Sequence, residues 1–405
     1  MKINSIRDHT SKIRGKTVLL RVDFNVPIEN GKIREEQKIL ANLPTIRFLL
    51  RYECKIIVAT HLGRPKGKRV KEYSTEVLAK RLGKILGEKK KKRSEFSKYN
   101  NVKFVDDCVG EKVKEASRDL EEGEILFLQN LRFYPGEKEN DRKFAKQLAQ
   151  LADVYVNNAF SVCHRAHASV NAVADYLPSL GGLLIEQELQ NLDKIDKPEK
   201  PLITVMGGAK VDTKVNLITR LAQKSERVLL GGALANNFLA AGDIAVGKSL
   251  VDKENINLAR KLGKRYGDKL LLPQDVVVAE DPEQESGQAK NVSQVGKKEK
   301  ILDIGPETIR LYAKHIKKGK SLIWNGPMGW FENKNFVHGT LAIARTVASR
   351  SQGHAFGVAG GGETVQALQK SDMMEYMDWV STGGGAMLAY LGNEKMPGLT
   401  KIIRT

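Results

Sequence analysis

Short apolar runs rich in β-branched residues alternate along this chain with longer segments of helical periodicity. In the first half the runs are Thr17 to Val22, Lys55 to Thr60, Val102 to Val105, Glu124 to Leu128 and Val154 to Asn157. In the second half they are Leu202 to Met206, Arg227 to Leu230, Lys269 to Leu272, Ser321 to Trp324 and Ala355 to Val358. Such runs are typical of parallel strands buried on both faces. The pattern predicts an α/β protein with two doubly wound, Rossmann-like parallel-sheet lobes.

A helical segment between the two series predicts how the lobes are joined. Ile185, Leu189, Leu192 and Ile195 recur at helical spacing, with prolines upstream and downstream. We therefore expect one connecting helix and a cleft between the lobes. The predicted boundaries are 1–180 for the first lobe, 181–200 for the helix and 201–390 for the second lobe.

Composition agrees with two domains and favours anionic partners. A chain of 405 residues is too long for one typical core, and its hydrophobic content of 41% is sufficient for two cores. The formal charge of +19 favours nucleic acid, a membrane surface or phosphorylated metabolites. The run Lys89 to Arg93 is interpreted as solvated surface. A nucleic-acid-binding protein ranks low because the chain has no basic platform interleaved with aromatic residues.

Cysteine usage and hydropathy predict the compartment. Cys54, Cys108 and Cys163 are odd in number and widely spaced, which indicates neither a disulfide framework nor a zinc ribbon. The first ten residues have no apolar core of a signal peptide, and no apolar stretch has the length of a membrane span. We expect a cytoplasmic protein without membrane association, and a monomer.

Polar residues follow the apolar runs of the first half, where ligands bind in open α/β sheets. Arginine offers a planar fork of donors that suits phosphate and carboxylate groups, so a small polyanion is the expected ligand. The candidate ligand-binding residues are Asp23, Asn25, His61, Arg64, Arg132 and Arg165.

Adjacent glycines follow the apolar runs of the second half. Gly360-Gly361-Gly362 and Gly383-Gly384-Gly385 each precede a predicted helix, whose free N–H groups and dipole favour phosphate. Glu363 is interpreted as a ligand of Mg²⁺, with an ordinary acid of a first helical turn as the alternative. Glu332, downstream of Asn325-Gly326-Pro327, is a candidate for binding ribose hydroxyls. This half is therefore expected to bind a nucleotide.

Two other motifs suggest different functions, and a third function lacks its motif. Gly242 to Ser249 matches the Walker A pattern of P-loop NTPases, but the residues before it read as a helix instead of a buried strand. Cys163 to His167 contains potential metal ligands, yet no second cluster completes a tetrahedral set. A dinucleotide dehydrogenase would need a Gly-x-Gly-x-x-Gly motif after the first strand, where Asp23-Phe24-Asn25 stands instead.

The motifs in their order resemble the phosphoglycerate kinase family over essentially the whole chain. The first half contributes Arg21 to Pro27, His61 to Pro65, Asn130 to Phe133 and His164 to His167. The second contributes Gly207 to Lys210, Asp303 to Pro306, Trp324 to Pro327, Gly360 to Thr364 and Ser381 to Ala386.

The resemblance implies phosphoryl transfer between 1,3-bisphosphoglycerate and Mg-ADP, giving 3-phosphoglycerate and ATP. It implies that the first lobe holds the acid through Asp23, Asn25, Lys38, His61, Arg64, Arg132 and Arg165. It implies that the second holds the nucleotide through Lys210, Lys214, Asn325, Glu332, Gly361, Gly362, Glu363 and Thr364. Lys38, Lys210, Gly361 and Gly384 would be catalytic and Glu363 would meet Mg²⁺. Residues 391–405 would return to the first lobe.

Several positions depart from the family pattern, namely Lys38, Glu363, Ala233, Thr213 and Asn158, and the chemistry explains why no general base is expected. Lys38 stands where the family has an arginine, and Glu363 stands where it has an aspartate. The acceptor in the ATP-consuming direction is a carboxylate, which is ionised at neutral pH, so no general base is needed. Catalysis then requires alignment of two polyanions, stabilisation of phosphoryl charge and closure of the lobes.

Overall fold

The computed structural model describes residues 2–88, 101–208, 214–283 and 286–404. The chain divides into two compact units, Met1–Gln190 with Lys395–Thr405, and Asn191–Glu394. Each unit contains a parallel sheet of six strands with helices, which confirms the predicted α/β fold. Lys210 lies outside the described residues, as does the run Lys89 to Arg93.

The first unit is a doubly wound sheet. Its strands are β1 (Thr17–Arg21), β2 (Ile28–Glu29), β3 (Lys32–Ile33), β4 (Lys55–Ala59), β5 (Val102–Val105), β6 (Ile125–Leu128), β7 (Val154–Asn157) and β8 (Ser179–Gly181). Its helices are α1 (Thr10–Ile13), α2 (Gln37–Arg51), α3 (Glu76–Gly87), α4 (Glu111–Arg118), α5 (Pro135–Lys138), α6 (Arg142–Ala149) and the start of α7 (Leu183–Asp196).

The strand order β5-β6-β4-β1-β7-β8 places β1 at the centre, with parallel pairing throughout. Val18 and Leu20 enter one apolar cluster, whereas Leu19 enters a second cluster. Successive side chains of a strand point to opposite faces, so both faces of the sheet are buried. This explains why the central strands read as unbroken apolar runs.

The second unit combines a parallel sheet with a smaller antiparallel sheet. Its strands are β9 (Leu202–Met206), β10 (Arg227–Leu230), β11 (Leu270–Leu271), β12 (Asp275–Ala279), β13 (Gln288–Asn291), β14 (Lys300–Ile304), β15 (Ser321–Asn325), β16 (Phe356–Gly360) and β17 (Trp379–Ser381). Its helices are α8 (Val215–Lys224), α9 (Gly232–Ala241), α10 (Ile256–Tyr266), α11 (Pro306–Ile316), α12 (His338–Ser351), α13 (Gly362–Lys370) and α14 (Gly385–Leu391). The parallel sheet has the order β11-β10-β9-β15-β16-β17, and the antiparallel one has the order β13-β12-β14.

Several elements were not predicted from the sequence. The edge strands β8 and β17 have three residues each, which is too short for a periodic signal. The antiparallel sheet was missed because β13, with the sequence Gln-Ala-Lys-Asn, is mostly exposed and carries no apolar alternation. The predicted run Lys269 to Leu272 is strand only at Leu270–Leu271.

The end of the chain contacts its beginning within the first unit. Asn4 donates its backbone N–H to Ile402 O at 2.7 Å, and Ile3 forms an antiparallel bridge with Ile403. Asn157, at the end of β7, donates its side-chain amide to Gly398 O at 2.9 Å. Lys395–Thr405 therefore completes the first unit, while α7 contains the boundary at Gln190.

Candidate active site

A buried carboxylate marks the carboxyl end of β1. Asp23 is 6% exposed, and its Oδ2 accepts from Lys38 Nζ at 2.7 Å and from the Ser161 hydroxyl. Burial alone would raise the pKa of this carboxyl, but the charge of Lys38 and both of these hydrogen bonds hold it well below its usual range. Asp23 is thus an anion that fixes Lys38 at the end of the central strand.

Asn25 and Arg132 organise the loop after β4. The Asn25 side-chain oxygen accepts the backbone N–H of Gly63 at 2.8 Å. The Arg132 guanidinium donates to Gly63 O at 2.7 Å, while its buried Nε has no hydrogen-bond partner among the described residues. Gly63 has a φ of +61°, a region where glycine carries no steric penalty. The two side chains therefore hold the glycine turn that carries Arg64 into solvent.

Cations crowd this end of the sheet more densely than the nearby carboxylates can neutralise. Burial and the guanidinium groups of Arg21 and Arg165 lower the pKa of Arg132 to about 10. Burial and the same cationic surroundings lower the pKa of His167 to about 3. Like charges held together in a partly buried site are stabilised by an anionic ligand. Arg165 itself is exposed and donates to His164 Nε2 at 3.1 Å.

Glycine loops of the second unit pack on one another at the carboxyl ends of β9, β10 and β15. Gly208 donates its N–H to Pro327 O at 3.1 Å, and Gly232 donates to Met328 O at 2.7 Å. A Cβ on Gly207 would lie 1.9 Å from Pro327 O. The close approach that excludes a side chain at Gly207 is therefore to neighbouring backbone.

The turn before α13 has the geometry of a phosphate-binding helix start. Gly361 caps the helix with a φ of +103°, and nothing lies within 4 Å of a Cβ placed on Gly362. Thr364 is buried, and its hydroxyl accepts the Gly326 N–H at 2.7 Å. Asn325 donates to Gly360 O at 2.7 Å. Thr364 and Asn325 thus position the loops, whereas Gly362 and Glu363 are exposed.

Gly384 begins a second glycine turn at the carboxyl end of β17. Its φ is +50°, and it precedes α14. Nothing lies within 4 Å of a Cβ placed there, so backbone conformation is what requires glycine at this position.

Lys214 is a buried cation beside these loops. It is 9% exposed and donates to Gly207 O, and burial lowers its pKa to about 8 although Glu363 opposes the shift. A Cβ on Gly208 would lie 3.0 Å from Lys214 Nζ and 3.9 Å from Glu363 Oε2. The ammonium and the carboxylate therefore flank one bare stretch of backbone.

A cavity of about 450 Å³ opens among the same loops. Its lining includes Gly208, Gly232, Trp330, Glu332 and Glu363. Asp303 also lines it, 2% exposed, and its carboxylate accepts the N–H groups of Ile304 at 2.9 Å and Gly339 at 2.7 Å. Burial raises the pKa of Asp303 to about 7. The volume suits a small ligand with an apolar body and polar ends.

Comparison with known proteins identifies the chain. A family model described as Phosphoglycerate kinase matches residues 6–394. A phosphoglycerate kinase of Pelotomaculum thermopropionicum is 44% identical over 398 residues, covering 96% of this chain and 97% of the relative. A phosphoglycerate kinase of Moorella thermoacetica is 42% identical, with 96% and 97% covered.

The chain belongs to the phosphoglycerate kinase family. Solved phosphoglycerate kinase structures agree in fold. That from Coxiella burnetii has 35% identity and a TM-score of 0.82, with 96% of each chain covered. That from Pyrococcus horikoshii OT3 has 30% identity and a TM-score of 0.85, with 98% of each chain covered. The activity is that of an ATP:3-phosphoglycerate phosphotransferase.

The segment that matches Walker A does not have P-loop structure in this chain. Gly242 ends α9, and the segment continues as a loop in which Gly247 bridges to Lys300. The Lys248 N–H donates to Glu299 O at 2.7 Å, and the Ser249 hydroxyl accepts from Ile301 N at 2.8 Å. A P-loop leaves a strand and opens a helix. This segment instead follows a helix and packs against the start of β14.

The described part of the chain contains neither a metal-binding cluster nor a membrane-spanning helix. No group of three or more His, Cys, Asp or Glu side chains there is arranged to hold a metal ion. No helix among the described residues is long and apolar enough to cross a membrane.

Sequence reasoning missed the buried residues next to the cations at the carboxyl end of β1. Arg21 is 1% exposed at the last position of β1, and Glu137 is fully buried in α5. Ser169 joins them, because its hydroxyl accepts from Arg21 Nε and donates to Glu137. The available signal was a single arginine at the end of an otherwise apolar run, since a buried charge requires a partner.

We expect Gly208→Ala to raise the KM for ADP. Its φ of +94° strains any side chain by roughly 1–3 kcal/mol, and the new Cβ would press on Lys214 Nζ. Gly353→Ala is a matched control, because Gly353 has a φ of +75° with nothing within 4 Å of the added Cβ. Urea denaturation should give comparable losses of stability, whereas steady-state kinetics should show a changed KM only for Gly208→Ala. Equal KM values in the two variants would contradict the role of the Lys214 contact.

Proposed function

We propose that the first unit binds 3-phosphoglycerate or 1,3-bisphosphoglycerate and that the second binds the nucleotide. The acid-binding residues are Asp23, Asn25, Lys38, His61, Arg64, Arg132 and Arg165. The nucleotide-binding residues are Lys210, Lys214, Asn325, Glu332, Gly361, Gly362, Glu363 and Thr364. The observation that carries this assignment is the density of cations at the carboxyl end of β1, because a small polyanion neutralises it.

The cavity of the second unit supports nucleotide binding there. Apolar side chains such as Trp330 line one part of it, and Glu332 offers a carboxylate for ribose hydroxyls. Glu363 and the open Gly362 backbone begin α13, where N–H groups favour phosphate. Asn325 and Thr364 act through the loops that they hold.

In the ATP-forming direction, a β-phosphate oxygen of ADP attacks the acyl phosphorus of 1,3-bisphosphoglycerate. The bond between that phosphorus and the carboxyl oxygen breaks, and its electron pair remains on the 3-phosphoglycerate carboxylate. No proton moves, so the enzyme needs no general base. Lys38, Lys210 and the backbone at Gly361 and Gly384 stabilise charge on the travelling phosphoryl group.

The nucleotide enters as its Mg²⁺ complex. Glu363 is exposed at the cavity, and one or two carboxylates with phosphate and water suffice for Mg²⁺. The ion neutralises phosphate charge when bound.

One coupled assay tests the function. Purified chain should phosphorylate 3-phosphoglycerate with ATP, and turnover should require both compounds. ATP hydrolysis at the same rate without the acid would contradict the assignment. We further propose that the protein is a cytoplasmic monomer. Size-exclusion chromatography with light scattering tests the oligomeric state.

We expect the two units to close when both substrates are bound. Phosphoryl transfer requires that the acid on one unit and the nucleotide on the other reach bonding distance and exclude water. Small-angle X-ray scattering should give a smaller radius of gyration with 3-phosphoglycerate and a non-hydrolysable ATP analogue together than with either alone. An unchanged radius with both ligands would contradict closure.

We expect Lys248→Ala to leave kcat unchanged and to alter the KM for ADP at most a few-fold. Lys248 lines the wall of the cavity, but its segment lacks the strand and helix that place a P-loop lysine on phosphates. A P-loop NTPase would lose roughly 10²-fold or more in kcat on the same change. Such a loss in the coupled assay would favour the P-loop alternative.

A further inference from the structure

A chain of buried polar contacts lies next to the cations at the carboxyl end of β1. The Glu137 carboxylate is fully buried and accepts from the Ser169 hydroxyl at 2.7 Å and the Ser169 N–H at 2.9 Å. The Ser169 oxygen in turn accepts from Arg21 Nε at 2.8 Å. This contact fixes the position of Arg21, and it does not require a bound ligand.

The Arg21 guanidinium also contacts His61. Arg21 Nη2 lies 3.2 Å from His61 Nδ1, and Arg21 Nη1 donates to Val22 O. Guanidinium N–H groups only donate, so His61 Nδ1 must accept and cannot carry a proton. The proton of a neutral His61 ring then resides on Nε2.

We propose that Arg21, held by Ser169 and Glu137, is a positioning residue that fixes His61 as a neutral ring with its proton on Nε2. In this state His61 offers the acid an N–H donor without a positive charge. That consequence for the acid rests on the proposed function. The tautomer itself is a property of the ligand-free chain.

The surroundings of His61 disfavour a second proton. The charged groups that face it are Asp23 and Arg21 from the end of β1, Lys38 from α2 and Arg132 from the segment after β6. Only Asp23 favours protonation, with Oδ1 at 3.9 Å from Nδ1, and it is already paired with Lys38. Burial and the three cations hold the pKa of His61 well below its ordinary value.

The Nε2 tautomer has a specific use in recognition. A neutral N–H donor binds an anionic oxygen without adding charge to a site already dense in cations. The charge of the ring also stays constant as pH falls from 8 to 6, where a free imidazole would gain a second proton. Acid binding through His61 is therefore independent of pH in that range.

Nitrogen NMR tests the proposal directly. Long-range proton–nitrogen correlation spectra of the ¹⁵N-labelled full chain distinguish the two neutral tautomers and the imidazolium, and loss of one signal in His61→Gln assigns His61. We expect protonated Nε2 and bare Nδ1 with no change from pH 8 to 5.5. An imidazolium at pH 7, or a proton on Nδ1, would overturn the proposal.

Variants test the role of the chain behind His61. Ser169→Ala removes one anchor of Arg21, and Arg21→Lys replaces the fork with a single ammonium. We expect the His61 signals to become a mixture of the two neutral tautomers in both variants, with the KM for 3-phosphoglycerate raised at least about tenfold in Arg21→Lys. Arg142→Lys is the control, because Arg142 is exposed and pairs with Asp175. An unchanged His61 pattern in both variants would show that Arg21 does not fix the tautomer.

The outcomes separate this inference from the proposed function. Nε2 protonation in a chain without kinase turnover would uphold the tautomer and reject the function. Normal turnover with His61 as an imidazolium would uphold the function and reject the tautomer. Circular dichroism of each variant distinguishes a local change in tautomer from loss of fold.

Discussion

Lys38→Ala is expected to lower kcat for phosphoryl transfer roughly 10²–10³-fold. Lys38 donates to Asp23 Oδ2 at 2.7 Å while a third of its side chain remains exposed, so the ammonium is fixed yet reachable by a ligand. Under the proposed function, the substitution removes a cation that stabilises the travelling phosphoryl group. It also leaves the Asp23 carboxylate buried without its ion pair.

The second effect has its own signature in stability. An unpaired buried carboxylate costs about 1–3 kcal/mol, which should lower the urea midpoint at pH 7. In the parent chain the pKa of Asp23 is depressed, so the pair stabilises the fold above the pKa of an unfolded aspartate, and this stabilisation is lost as pH falls through the folded value. When Lys38 is removed, burial raises the pKa of Asp23. The variant should therefore lose less stability on acidification than the parent chain.

Controls separate position from charge. Lys32→Ala removes the same charge from the exposed strand β3 and should change neither kcat nor the urea midpoint appreciably. Lys38→Arg restores the planar fork that the family has at this position, and we expect it to raise kcat several-fold. A lower kcat for arginine would show that the site has adapted around lysine. An unaltered kcat in Lys38→Ala would exclude Lys38 from catalysis.

Lys214→Met is expected to lower kcat/KM for ADP roughly 10²–10³-fold without destabilising the protein at pH 7. Lys214 is buried beside the glycine loops, and its ammonium donates to Gly207 O. Under the proposed function, loss of the cation removes one contact to the nucleotide phosphates. Replacing a buried charge by an apolar side chain of similar volume is often neutral or stabilising.

The pH dependence identifies Lys214 as the responsible group. Its pKa is about 8 in the folded chain, so kcat/KM for ADP should fall above pH 8 as the ammonium deprotonates. Bound phosphate raises this pKa, so kcat should fall only at higher pH. Lys214→Met should abolish the alkaline limb, whereas Lys317→Met, an exposed lysine after α11, should retain it.

Stability supplies an independent check on the same lysine. The folded pKa lies below the value of an unfolded lysine, so the unfolded chain binds more protons between about pH 8 and 10.5. Stability contributed by Lys214 therefore rises with pH through this window. Urea midpoints measured from pH 8 to 10 should rise less in Lys214→Met than in the parent chain. Identical slopes would place the titrating group elsewhere.

Central strands were predictable because both of their faces are buried. Thr17–Arg21 and Leu202–Met206 read as apolar runs, since a parallel strand covered by helices has no polar face. β13 was not predictable, because its Gln-Ala-Lys-Asn sequence becomes a strand only by pairing with β12. The antiparallel sheet therefore needed tertiary contacts to be recognised.

The chemistry at strand ends followed from residue type, but its arrangement did not. Arginines and glycines after apolar runs predicted anion binding, because charge and bare backbone are properties of single residues. The sequence does not show that the close approach of Pro327 O excludes a side chain at Gly207. Nor does it show that the Thr364 hydroxyl accepts the Gly326 N–H. Those contacts join segments more than 35 residues apart.

The sequence by itself determined the α/β class, the two-part division and the membership of an anion-binding kinase family, because these follow from periodicity and from motifs in order. Only the tertiary structure decided which cations are buried, which are exposed and what each one touches. Arg21 illustrates the difference. In the sequence it ends an apolar run, whereas in the fold it lies between Ser169 and His61. Burial and hydrogen bonding depend on contacts between distant segments, and these set the protonation states at the site.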